Sequence, residues 1–147
     1  SYGHGKLSHY AHNESFDAMG YDTSILIGGI NTNALSDSDG PQIDIYLNEV
    51  PILDGAEETI DMGILSSLQP ANLRLRRAVR NREQAVQSTR FPLIFDPQTS
   101  GGLLASIPGN RAESCLEALK TAGINVAAVI GQVKEQSDHL EPVTLLM

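Results

Sequence analysis

Asp96-Pro97-Gln98-Thr99-Ser100-Gly101-Gly102 is the stretch with the clearest chemical content in this 147-residue chain. Thr99 and Ser100 bring hydroxyls, and Gly101-Gly102 permits positive φ and close approach of the backbone to a bound group. Pro97 removes a donor and fixes φ, and it biases Asp96 toward an extended conformation. The N–H groups of such a turn can line a concavity that holds an anion. A tight turn between two strands, with no ligand, suits the same residues equally well. A Walker-type loop is excluded, because no Lys follows the glycines and no helix begins directly after Gly102.

Other residues of reactive type fit ordinary roles better. His4, His9 and His12 lie in a polar, Gly-containing start, and their spacing matches no standard metal site. That segment, 1–20, reads as a flexible terminus or a cloning remnant. Cys115 is the one cysteine, so no disulfide forms within the chain and no cysteine zinc cluster exists. It lies on an apolar helix stripe and reads as a core residue rather than a nucleophile. Residues 71–90 hold six arginines and one acid, Glu83, whereas residues 1–70 hold eleven acids and one base, Lys6. The arginine run reads as a solvated helix face, or as a patch facing phosphate or a partner, with Arg74, Arg76 and Arg77 the candidates.

The elements that must position the 96–102 stretch follow from periodicity and punctuation. YDTSILIGGINTNAL, 21–35, has helical apolar spacing and a cap at Thr23 or Ser24, though Gly28-Gly29 weakens it. A short helix over 13–19 and a turn at SDSDGP, 36–41, flank it. QIDIYL, 42–47, alternates as a half-buried strand, with Ile43, Ile45 and Leu47 inward. Asp54 caps a helix over 55–62 that Gly63 ends. Another helix opens near Pro70, with Leu73, Ala78 and Val79 inward. FPLIFD, 91–96, and GLLASIP, 102–108, read as buried strands on either side of the glycine turn. Asn110 and Glu113 have capping-box spacing for a helix with Ala112, Cys115, Leu116 and Leu119 on its apolar face, ended by Gly123. NVAAVIGQV, 125–133, and VTLLM, 143–147, read as strands, with the loop KEQSDHLEP between them. This order is not a strict βαβ alternation, so the expected class is α+β with a mixed β-sheet packed by helices.

Bulk properties narrow the classes of function. The length fits one domain able to bury a sizeable core. The net charge of −8 argues against a general nucleic-acid binder. No apolar run approaches the ~18 residues of a membrane span, and no signal peptide is visible. These features, with the single cysteine, suit a cytoplasmic protein. The start at Ser1 rather than Met hints at a piece of a longer protein.

FDPQTSGGLL strongly resembles the C-terminal half of selenophosphate synthetase (selenide, water dikinase). VPILDGAEE, 50–58, and GILSSLQPANLRLRRAV, 63–79, resemble segments of the same family in the same order. YDTSILIGGI, 21–30, resembles a degraded copy of its Thr-Asp-Val-Thr-Gly-Phe-Gly-Leu-Leu-Gly-His-Leu run. The resemblance covers about residues 20–147, and the joint presence of Ser-Ser-Leu-Gln-Pro and Asp-Pro-Gln-Thr-Ser-Gly-Gly makes it specific. It implies a synthetase-like C-terminal domain over 21–147, α+β with a mixed sheet, like that of aminoimidazole ribonucleotide synthetase.

The resemblance also implies a reaction, in which ATP, selenide and water give selenophosphate, AMP and phosphate. Each phosphoryl step needs Mg²⁺ and positioned donors. The family's metal-binding Asp falls on Asp22, in an altered setting: Tyr21 precedes it and Ser24-Ile25 follows where Thr-Gly would lie. A capping role for Asp22 is the alternative. Gln98, Thr99, Ser100, Gly101 and Gly102 are the implied nucleotide-phosphate or interdomain contacts. The family's catalytic Cys and Lys have no match in residues 1–20, where Lys6 has no Cys beside it. The chain alone is therefore expected to be inactive, with an N-terminal catalytic domain of the same protein as its partner and a homodimer as a further expectation. Two other readings stand: a stand-alone, non-catalytic binding domain, and the C-terminal domain of a related purine-pathway synthetase.

Overall fold

The computed structural model describes residues 26–27, 42–96 and 103–147. In chain order the elements are β1 (Leu26–Ile27), β2 (Gln42–Tyr46), α1 (Ala56–Asp61), α2 (Gln69–Asn72), α3 (Arg82–Ala85), β3 (Leu103–Leu104), α4 (Ala112–Thr121), β4 (Gly131–Lys134) and β5 (Val143–Leu146). Among the described residues, four 3₁₀ turns join them, at Leu47–Glu49, Leu73–Ala78, Phe91–Phe95 and Gly109–Arg111.

QIDIY forms a strand because its apolar residues alternate, and it becomes the centre of a three-stranded sheet ordered β4-β2-β5. β4 runs antiparallel to β2, with Ile45 opposite Gly131, and β5 runs parallel to it, with Ile43 opposite Val143. This mixed sheet bears out the expected α+β class. Ile45 and Leu47 lie at 3% and 1% exposure, packed with Val79, Phe91, Ile94, Phe95, Ile130, Val143 and Leu145 in one core cluster. The opposite face of β2 is polar yet covered: Gln42 accepts from Arg80 Nη2, and Asp44 pairs with Lys134.

The outer edge of β5 is closed by residues 79–81. Val79 bridges to Val143 in parallel, and the Arg80 N–H donates to Val143 O at 2.8 Å. The Asn81 side chain then takes the place of a further peptide. Its Nδ2 donates to Leu145 O at 2.7 Å, and its Oδ1 accepts from the Leu145 N–H at 3.0 Å. An open edge would template pairing with another chain, and this closure removes that hazard.

Several local expectations are corrected. Of the helix expected over 21–35, only Leu26–Ile27 are described, and these two form a strand paired antiparallel with Leu103–Leu104. The Gly28-Gly29 pair weakens a helix there, and the apolar run before it suits a ladder. FPLIF, 91–95, is a 3₁₀ turn rather than a strand. Its buried residues Phe91, Ile94 and Phe95 have the i, i+3, i+4 spacing of a helical face, which a five-residue apolar run does not separate from a strand. Among the described residues of 102–108 the strand covers only Leu103–Leu104, and that expected over 125–133 begins only at Gly131. Neither expected side-chain cap forms: Gly55, at φ 82°, occupies the cap of α1 in place of Asp54, and Arg111 occupies that of α4 in place of Asn110. The helix from Pro70 tightens into a 3₁₀ turn at Leu73. Gly63 and Gly123 end α1 and α4 as expected, at φ 71° and 89°. The expected helix at 13–19 and turn at 36–41 lie outside the described residues.

Candidate functional site

The residues expected to touch phosphate or metal, Asp22, Gln98, Thr99, Ser100, Gly101 and Gly102, lie outside the described residues. What the structure places is the scaffold that leads into them. β1 and β3 pair with Leu26 opposite Leu104 and Ile27 opposite Leu103. The segment carrying the 21–30 motif and the one carrying the glycine turn are thereby joined through their backbones.

The chain enters the 96–102 stretch from the 3₁₀ turn Phe91–Phe95, which is fixed through its side chains and through its backbone. Inside, Phe91 and Phe95 meet edge to face with ring centroids 5.1 Å apart, both buried in the core. That geometry suits the ring quadrupoles. Beside them, two side chains of the earlier segment 63–79 hold its backbone. Gln69 Nε2 donates to Pro92 O at 2.8 Å, and Asn72 Nδ2 donates to Phe95 O at 3.1 Å. Just upstream, Arg90 Nε donates to Glu57 Oε1 at 2.8 Å, and its Nη1 to Asn48 O at 2.8 Å. VPILDGAEE and GILSSLQPAN, far apart from FPLIF in sequence, are thus tied by side-chain hydrogen bonds to residues 90–95, just before Asp96.

The arginine run divides by role. Arg74, Arg76 and Arg77 are exposed, as a solvated face requires. Arg80 is structural, bonded to Gln42 Oε1 and Glu141 O. Arg77, Arg80 and Arg82 border an open pocket of about 300 Å³, which Glu83 and Glu141 also line. Two carboxylates beside three guanidiniums leave little net charge for an anion. Cys115 is half-buried with the other residues of its stripe. Among the described residues, no group of three or more His, Cys, Asp or Glu side chains could hold a metal ion. No described helix is long and apolar enough to cross a membrane.

The sequence reading missed the holding residues Glu57, Gln69, Asn72, Asn81 and Arg90. One signal was available for Gln69 and Asn72: two amide side chains three residues apart after a helix-opening Leu share a helix face. None was available for their acceptors, which are backbone carbonyls 23 residues away in each case.

Residues 29–140 match the family described as AIR synthase related protein, C-terminal domain. Curated relatives include the following. "Selenide, water dikinase" of Pelobacter propionicus is 32% identical over 134 residues, covering 81% of this chain and 38% of that protein. Its namesake from Clostridioides difficile is 38% identical over 95 residues, covering 62% of this chain and 26% of that protein. "Selenide, water dikinase 2" of Peptoclostridium acidaminophilum is 29% identical over 102 residues, covering 67% and 28%. The chain therefore spans well under half the length of these relatives, and it belongs to the AIR synthase related protein family, as the C-terminal domain.

Proposed function

We propose that the chain is the C-terminal domain of a selenophosphate synthetase, and that it helps to close the Mg-ATP site of that enzyme while packing against an N-terminal catalytic domain. The observation that carries the reading is the convergence of the family-like segments on the 3₁₀ turn before Asp96. A domain that only filled space would not need that point tied to two other segments by side-chain hydrogen bonds.

In this reading the chain's own residues bind and orient. The hydroxyls of Thr99 and Ser100 and the N–H groups of residues 98–102 donate to phosphate oxygens or to the facing domain. Asp22 adds one carboxylate toward magnesium, a hard cation that takes oxygen ligands. Magnesium would neutralise charge on the transferring phosphoryl group when bound. One carboxylate does not make such a site, and the described residues supply no cluster to complete it. The remaining ligands, the nucleophile and its Lys are assigned to the N-terminal domain.

Phosphorus-31 NMR with ATP, Mg²⁺ and selenide tests this. The chain alone should give no selenophosphate, and the chain mixed with the N-terminal portion of a selenide, water dikinase relative should give it. Selenophosphate from the chain alone would sink the division of labour. A mixed complex that assembles yet turns over no ATP would favour the non-catalytic binding domain.

A further inference from the structure

We propose that residues 56–78 carry a self-complementary docking face whose occupant is a second copy of this chain, related to the first by a twofold axis. The centre of the face is apolar. Every residue from Asp61 to Leu68 is exposed, and among them Met62, Ile64, Leu65 and Leu68 lie between 49% and 66% exposure. Single exposed apolar side chains are ordinary, but a contiguous group of them marks a contact surface.

The patch is held at both ends. At its start α1 closes with a pair of bonds: the Gly63 N–H donates to Ile60 O and the Ile64 N–H to Thr59 O, both at 2.8 Å. In such a cap the residue after the glycine commonly packs on an apolar side chain one turn back. The positions it would meet here are Glu58 and Thr59, and Ile64 stays 59% exposed. At the other end the buried Gln69 donates through Nε2 to Pro92 O at 2.8 Å, and its N–H donates to Ser66 O at 3.1 Å. A backbone already fixed in this way loses little freedom on association.

The flanking charges select the occupant. Glu58 and Asp61 precede the patch, Arg74, Arg76 and Arg77 follow it, and all five are exposed. Acid, apolar and base in that order complement themselves. A twofold axis sets the face against the same face reversed. The acids of one copy then meet the arginines of the other, on both sides of a shared leucine centre. Elsewhere the net charge of −8 repels a second copy. Residues 58–77 hold two acids and three arginines, so that repulsion is absent at the face.

Sedimentation equilibrium of the chain tests this. A reversible dimer is expected in the micromolar range, and a monomer throughout that range would overturn the proposal. Leu65→Ser, Leu68→Ser should raise the dissociation constant by at least about tenfold, as loss of central contacts does, with an unchanged far-ultraviolet circular dichroism spectrum. A dimer as tight as before would place the contact elsewhere and would also overturn it. The charges give a second test that lost packing cannot imitate. Glu58→Arg, Asp61→Arg in one chain and Arg74→Glu, Arg77→Glu in another should each weaken self-association by about tenfold, because like charges then face each other. Mixed together, the two variants should pair, since both charge contacts are attractive again. Failure to pair, with both variants folded, would exclude the twofold arrangement. A monomeric chain that instead captures the N-terminal portion of a selenide, water dikinase relative through the same leucines would assign the face to that domain and overturn the second copy as its occupant.

Discussion

Asn81 shows how one side chain can do the work of a strand. Its amide accepts from and donates to the same residue, Leu145, at 3.0 and 2.7 Å. Asn81→Ala leaves an N–H and a carbonyl of β5 without these partners, so a loss of about 2–3 kcal/mol is expected. Urea unfolding should show it as a lower midpoint with an unchanged slope. Thr99 and Ser100 make the opposite case. If their hydroxyls face phosphate or another domain, a Thr99→Ala, Ser100→Ala double change should leave the melting temperature nearly unchanged. A large fall in a thermal melt would mean the hydroxyls serve the turn itself.

At the scale of elements, the close approach of β4 to β2 decides which residues fit. Gly131 lies opposite Ile45, and a Cβ there would collide with the carbonyl oxygen of Asp44. The obstacle is backbone of the central strand, which cannot move aside without breaking pairing to β5. Gly131→Ala should therefore cost about 3 kcal/mol, at the upper end for overpacking, and a chemical denaturation curve measures it. The elements also show where pattern reading succeeds. QIDIY and VTLL alternate or run apolar and are bounded by clear breakers, and both are strands. Gly63 and Gly123 end their helices at positive φ, which only local backbone chemistry requires. FPLIF could not be resolved that way, because its burial suits either period until its neighbours are known.

For the whole molecule, one cluster of buried residues joins the sheet to the 3₁₀ turn that carries the glycine stretch. Phe95, at 2% exposure, belongs to it. Phe95→Ala should cost about 3–5 kcal/mol, a large share of the 5–15 kcal/mol typical of a domain. Calorimetry should record a single transition at a much lower temperature. By contrast Leu65 and Leu68, at 49% and 63% exposure, contribute little to folding of this chain. A Leu65→Ser, Leu68→Ser change should shift stability by no more than about 1 kcal/mol in the same measurement.

The sequence by itself determined the class of fold, the central strand, the helix-ending glycines and the family, because these depend on local backbone preference, on periodicity and on motif residues adjacent in the chain. Tertiary structure alone decided that 91–95 winds as a 3₁₀ turn, that Leu26–Ile27 extends against Leu103–Leu104, and that Arg80 and Arg90 are braces while Arg74, Arg76 and Arg77 are exposed. The physical reason is distance along the chain. A side-chain donor takes whichever acceptor the fold delivers, and here those acceptors come from 23, 42 and 64 residues away.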